Sequence, residues 1–134
     1  MSDISYDQVY QALLTSVPEL RTCVETEFGS DYDLERENPG AYPIFEDVLQ
    51  GFVWERLEMC GGSEILQRLF GLFERLASSN DSRVTDLLRI AILEPLVNCP
   101  NLLNCARRYM GSKTAEYVAW EENAQRRHPK VPDI

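Results

Sequence analysis

Residues 61–97 read GGSEILQRLFGLFERLASSNDSRVTDLLRIAILEPLV, and this stretch decides the fold. Ile65, Leu66, Leu69, Phe70, Leu72, Phe73 and Leu76 recur at helical spacing and cover most of a helix circumference. A helix that is apolar over more than one stripe is a central, buried helix. After the polar turn Ser78-Ser79-Asn80-Asp81, the pattern repeats with Val84, Leu87, Leu88, Ala91, Ile92, Leu93, Leu96 and Val97. The stretch therefore predicts a helical hairpin that forms the core, with every other element packed on it. Gly61-Gly62 ends the preceding segment, and Ser63 caps the first limb of the hairpin. Glu94-Pro95 in the second limb predicts a kink or local break, because proline removes one backbone bond and clashes with the preceding turn.

Upstream, a long helix is expected from Pro43 to about Cys60. Its inward side is Ile44, Val48, Leu49, Phe52, Val53 and Leu57, and its outward side is Glu46, Asp47, Gln50, Glu55 and Glu58. Residues 29–42, GSDYDLERENPGAY, are the most polar stretch. Asp31, Asp33, Glu35 and Glu37 alternate there with Tyr32, Leu34 and Arg36, and Asn38-Pro39-Gly40 spells a turn. Asp31-x-Asp33 opens like an EF-hand loop, but Arg36 stands where that loop needs glycine and Tyr42 where it needs a bidentate glutamate. No calcium role is assigned. Two shorter helices precede this loop, over residues 4–16 with Ser5 as cap and from Pro18 to Phe28, with Gly29 as the stop.

Downstream, Cys99-Pro100 predicts a break. A short helix follows with Leu102, Leu103, Ala106, Tyr109 and Met110 inward, closed by Gly111. The last helix is expected from a cap at Ser112 to about Arg127, and the tail 128–134, HPKVPDI, is expected to be extended. No stretch alternates with period two over the length of a strand. The fold class is all-α: a compact bundle of about six to seven helices arranged as consecutive antiparallel hairpins. One domain spans residues 1–134.

The chain of 134 residues is long enough to bury a core without a disulfide or metal staple. Its net charge of −9 is unevenly placed. Residues 1–67 hold 14 Asp/Glu against three Arg, a net of −11, and residues 68–134 hold 8 acids against 10 Lys/Arg, a net of +2. An acidic lobe of this size repels nucleic acid and anionic membrane and speeds encounter with basic partners, so neither nucleic acid nor membrane is expected as a partner. It is read either as a functional face or as a solubilising one. Cys23, Cys60, Cys99 and Cys105 form no CxxC pair and read as small buried hydrophobes. The N-terminus has no secretory pattern, and no apolar run approaches the ~18 residues of a membrane span, so a reducing cytoplasm is the expected location.

Catalytic motifs are absent from the sequence. There is no glycine-rich phosphate loop, HExxH, GxSxG or Cys/His dyad, and His128 in the tail is the lone histidine. No enzyme activity, cofactor or metal is assigned. What remains is a binding surface. Asp47, Gln50, Trp54 and Glu58 recur at spacings of three and four and so share one helix face, with Trp54 among carboxylates. Aromatic rings dominate interface energies while acids steer, so Trp54 is either an anchor or a cap on the edge of the core. Trp120 reads as a core-edge residue. Arg107-Arg108 and Arg126-Arg127 sit in last helical turns, where cations suit the macrodipole and can pair internally with the acidic lobe.

The residue 61–97 hairpin and the following LLNCARRYMGSKT, in a small acidic all-α chain without a catalytic motif, resemble the immunity proteins that bacteria encode beside polymorphic or contact-dependent toxins. The resemblance implies tight inhibition of a cognate toxin, commonly one with a basic active-site cleft. No functional residue is carried over from that family. On this chain the expected contact residues are Asp31, Tyr32, Asp33, Glu35, Glu37, Tyr42, Asp47, Trp54 and Glu58, with the three aromatics as anchors. The alternatives are a self-associating or adaptor module and, less favoured, a carboxylate-dependent hydrolase.

Overall fold

The computed structural model describes residues 4–28, 41–59 and 63–127, and every regular element among them is helical. Helix α1 (Val9–Ser16) is entered through a 3-10 turn at Tyr6–Gln8, and α2 (Leu20–Phe28) follows. Helix α3 comprises Ala41–Pro43, a π turn at Ile44–Leu49 and Gln50–Met59. The central hairpin is α4 (Glu64–Ala77) and α5, the latter running Ser82–Leu88, a π turn at Arg89–Leu93 and Glu94–Val97. Helices α6 (Pro100–Ala106) and α7 (Ser112–Arg127) close the bundle. The all-α bundle expected from the periodicity is what the chain forms.

Helix α4 packs its apolar side into the core, but Glu64, Gln67, Gly71 and Arg75 form an exposed stripe, so the expected helix buried nearly all round is in fact amphipathic. Leu66, Leu69, Phe70, Leu72, Phe73, Leu76 and Ala77 are all buried, and α1, α5 and α7 pack around it. Phe70 and Phe73 meet edge to face, with centroids 5.0 Å apart at 75°, and Phe70 stacks on Tyr109 at 5.9 Å. Such pairs add about 0.5–1.5 kcal/mol beyond the area they bury. The expected Ser63 cap is present, its hydroxyl accepting the Leu66 N–H at 3.2 Å.

The turn between α4 and α5 does more than reverse the chain. Asp81 caps α5 by accepting the Arg83 N–H at 3.0 Å, and its other oxygen accepts the Tyr6 N–H at 3.0 Å. The Ser79 hydroxyl donates to the Ile4 carbonyl at 2.7 Å. One tight turn thus anchors the first helix as well as starting the fifth. On the opposite side, Arg68 of α4 donates to the Ser16 carbonyl at 3.0 Å and to both Glu19 oxygens, at 2.8 and 3.2 Å. That fork ties the α1–α2 turn to the core.

Two sequence expectations change in α3 and α5. The chain stays helical through Glu94-Pro95, because a π turn absorbs the proline. The Glu94 N–H reaches back five residues to the Arg89 carbonyl. Proline cannot donate to the Ala91 carbonyl four residues before it, and the Gln50 side-chain amide supplies that bond instead at 3.0 Å. Gln50 is therefore turned inward, not outward. The π turn of α3 lies against the π turn of α5, so two irregular segments pack on one another.

The start of α7 is the other difference. Ser112 is its first helical residue, and the cap comes from a different helix. Glu74 of α4 accepts the Lys113 N–H at 2.9 Å, the Thr114 N–H at 2.9 Å and the Thr114 hydroxyl at 3.0 Å. Burial raises the Glu74 carboxyl, but the Thr114 and Lys113 backbone donors, together with the Thr114 hydroxyl, outweigh it and hold its pKa below the ordinary value. A Cβ on Gly111 would collide with this carboxylate, so the glycine there makes room for the remote cap.

Candidate partner-binding site

The outer face of α3 is a row of carboxylates. Glu46, Asp47, Glu55 and Glu58 are exposed, as is Gly51 between them, and Met59 at the end of the helix is 78% exposed. The buried side takes Ile44, Phe45, Val48, Leu49, Phe52, Val53 and Leu57. Asp47, Gly51, Glu55 and Glu58 are spaced by four, four and three residues and so share one helix face.

Two of the aromatic residues expected on the face are partly covered. Trp54 is half-buried and packs against the core, and Tyr42 is half-buried as well. Burial raises the Tyr42 hydroxyl pKa, and the nearby Asp86, Tyr6 and Glu46 add to the shift. Glu46, Asp47, Glu55 and Glu58 are exposed, as the outward side was expected to be, and Gln50 is not. Asp31, Tyr32, Asp33, Glu35 and Glu37 lie outside the described residues. The exposed stripe is 47, 51, 55 and 58 in place of 47, 50, 54 and 58; both have helical spacing, and packing decides that Gln50 and Trp54 are the half-buried pair.

None of the four ridge carboxylates forms an ion pair among the described residues. The cation on α3 itself does not serve them. Arg56 folds back, donating to the Phe52 carbonyl at 3.2 Å with its guanidinium 3.5 Å above the Phe52 ring. Elsewhere, ion pairs join partners away from the ridge: Arg83 with Asp81, Arg89 with Asp86 and Glu121, Arg107 with Glu122, and Lys113 with Glu116. Arg68 alone among these cations reaches into the acidic half, to Glu19 and Glu64. The expectation that Arg107 and Arg108 pair with the acidic lobe is corrected: Arg107 bonds Glu122 of α7 at 3.1 Å, and Arg108 makes no ion pair among the described residues.

Trp120 contrasts with Trp54. Expected at the core edge, it is 54% exposed, with the Arg89 guanidinium 4.6 Å from its ring. Together with Lys113, Glu116, Tyr117 and Ala77 they line a hollow of about 370 Å³. Arg89 is already held there by Asp86 at 3.0 Å and by the buried Glu121 at 3.6 Å.

A second concavity, of about 650 Å³, lies between α4 and the α6–α7 junction. Gly71 of α4 opens into it. A Cβ at Gly71 would meet nothing within 4 Å, so packing does not require glycine there, although it costs a helix interior about 0.5–1 kcal/mol relative to alanine. An interior glycine in the central helix was the signal available in the sequence.

The cysteines also depart from expectation. Cys23 and Cys99 are free and half-buried, but Cys105 is disulfide-bonded. Cys60 lies outside the described residues. Spacing along a chain carries no information on such a bond, because it joins positions that packing brings together. No described helix is long and apolar enough to cross a membrane, and no three His, Cys, Asp or Glu side chains converge as metal ligands among the described residues.

Comparison with known proteins returns one finding: residues 10–128 match the family model described as a domain of unknown function, DUF7674. Neither the curated proteins nor the solved structures yield a match.

Proposed function

This chain belongs to the DUF7674 family, and we propose that it is a non-enzymatic binding protein that neutralises a cognate toxin by covering a basic active-site cleft. The observation that supports this is the α3 ridge: Glu46, Asp47, Glu55 and Glu58 are exposed and have no counter-ion among the described residues. Acids that hold a fold together are paired, as Asp81, Glu19 and Glu122 are here. An uncompensated row raises the rate of encounter with a positively charged partner and complements the arginines or lysines of an anionic-substrate cleft. Met59 at the end of the ridge supplies exposed apolar surface beside the charge. Trp54 and Tyr42 are partly buried against the core on the same helix.

The test is the triple variant Asp47→Lys, Glu55→Lys, Glu58→Lys. The expected outcome is a folded protein that no longer protects against, or binds, the toxin encoded beside it. Unchanged protection would sink the assignment of this face. A second reading, a self-associating or adaptor module, draws on the exposure of Ile90 (46%) and Trp120 (54%) on other helices. Light scattering decides it: a stable homo-oligomer that Trp120→Glu returns to monomer favours self-association.

A further inference from the structure

We propose that the groove between α4 and the α6–α7 junction binds a single-chain amphiphile with a carboxylate head. This site is separate from the α3 ridge and does not depend on the function proposed for it. The groove is a solvent-open trough of about 650 Å³, within the size range of small-molecule sites. Its floor is the Gly71 backbone, the buried Phe70 ring and the half-buried Tyr109 and Met110, and its rim carries Gln67 and Arg108.

Three observations select the ligand. The rim cation, Arg108, is exposed and makes no ion pair among the described residues, so it is available to an anion. The one acid in the lining, Glu74, is held by three hydrogen bonds at the start of α7 and does not compete for Arg108. Gln67 adds an exposed amide donor to the same rim. The head group that fits is a carboxylate.

The floor selects an alkyl chain over a planar ring. Phe70 and Tyr109 stack on each other at 28°, which takes up the faces that would sandwich an aromatic ligand. What they leave is ring edge, the adaptable thioether of Met110 and a trough kept open where Gly71 has no side chain. A flexible chain can follow such a surface.

Dodecanoate, below its micellar concentration, is the probe, with dodecyltrimethylammonium and benzoate as comparators, read by isothermal titration calorimetry and by the Met110 methyl resonance. Dodecanoate is expected to bind saturably at a single site and to shift that resonance. Both comparators should bind at least an order of magnitude more weakly, the first for its cation and the second for its lack of a chain. Arg108→Gln should weaken dodecanoate roughly tenfold, as expected for loss of a hydrogen bond to a charged group. Gly71→Leu should abolish saturable binding while the helical circular dichroism is retained, since the new side chain enters open space. If the leucine variant loses its helix signal, Arg108→Gln and the head-group comparison decide. Absence of saturable binding, binding that survives Gly71→Leu, or indifference to head-group charge would overturn the proposal.

Discussion

Helices α3 and α7 both present charge to solvent, and the charge does different work on each. On α7, Glu121 meets Arg89, Glu122 meets Arg107, Lys113 meets Glu116, and the helix start is held by Glu74 of α4. On α3, Glu46, Asp47, Glu55 and Glu58 have no partner among the described residues, and Arg56 is turned back onto Phe52. Exposed pairs such as Lys113–Glu116 contribute only about 0–1 kcal/mol each, so they orient side chains more than they stabilise the fold, whereas Glu121 is buried. Unpaired like charges on α3 repel one another mildly and remain free to meet another molecule. The lesson is that a charge count says little until it is known which charges the fold has already used.

Both helices hang on the same core, so the largest effect should remove the contrast altogether. Phe70→Ala is expected to cost about 3–5 kcal/mol through the cavity it leaves, measured by urea denaturation. Because Phe70 carries both Phe73 and Tyr109, loss of binding in that variant would report unfolding rather than a contact.

The next effect should break the α7 side alone. Gly111→Ala forces the Glu74 carboxylate out of its capping position, and Glu74→Ala removes it. Either should cost about 1–2 kcal/mol, the upper part of the range for a lost cap. Hydrogen exchange should rise first at the Lys113 and Thr114 amides, with α3 unaffected.

Acid should then separate charges the fold uses from those it does not. Side-chain bonds from Arg83 come first in lowering the Asp81 carboxyl to about 2, with the Tyr6 and Arg83 backbone N–H groups adding to it. The bond from Arg68 comes first for Glu19, also lowered to about 2. Both values lie below those of the unfolded chain. The stability these groups contribute is therefore fully present above about pH 4.5 and is lost as pH falls from there towards 2. Melting temperature should fall across that window, with the α1 segment exchanging early because Asp81 and Glu19 are its anchors. Arg68→Gln should flatten the part of the fall that belongs to Glu19.

The smallest stability effect should come from the ridge. Asp47→Lys, Glu55→Lys and Glu58→Lys together are expected to change stability by no more than about 0.5 kcal/mol per substitution, with some gain from relieved repulsion. A large loss would show that the ridge serves the fold and would remove the contrast with α7.

Much of the scaffold was legible in the sequence because helix periodicity is local. The hairpin over residues 61–97, its cap at Ser63, the inward residues of α3 and the short helix after Pro100 all follow from spacing and capping chemistry. The outer face of α3 was legible too except at Gln50, which a carbonyl of another helix draws inward. Trp54, read as an anchor or a core-edge cap, packs at the core edge, whereas Trp120, expected at the core edge, is exposed. Each stands in an amphipathic helix, and only the neighbours it meets decide whether a ring is covered.

The residues by themselves determined an all-helical chain, the identity of its core helix and the concentration of acid in its first half. Those properties depend on patterns within one or two helical turns and on composition. Tertiary structure alone decided that Glu74 caps a helix 38 residues away, that Asp81 holds two helices, that Gln50 serves the carbonyl freed by Pro95, and that the α3 carboxylates stay unpaired. Each depends on which groups distant in the chain come within about 3 Å of one another, the range of a hydrogen bond. No local pattern encodes that distance.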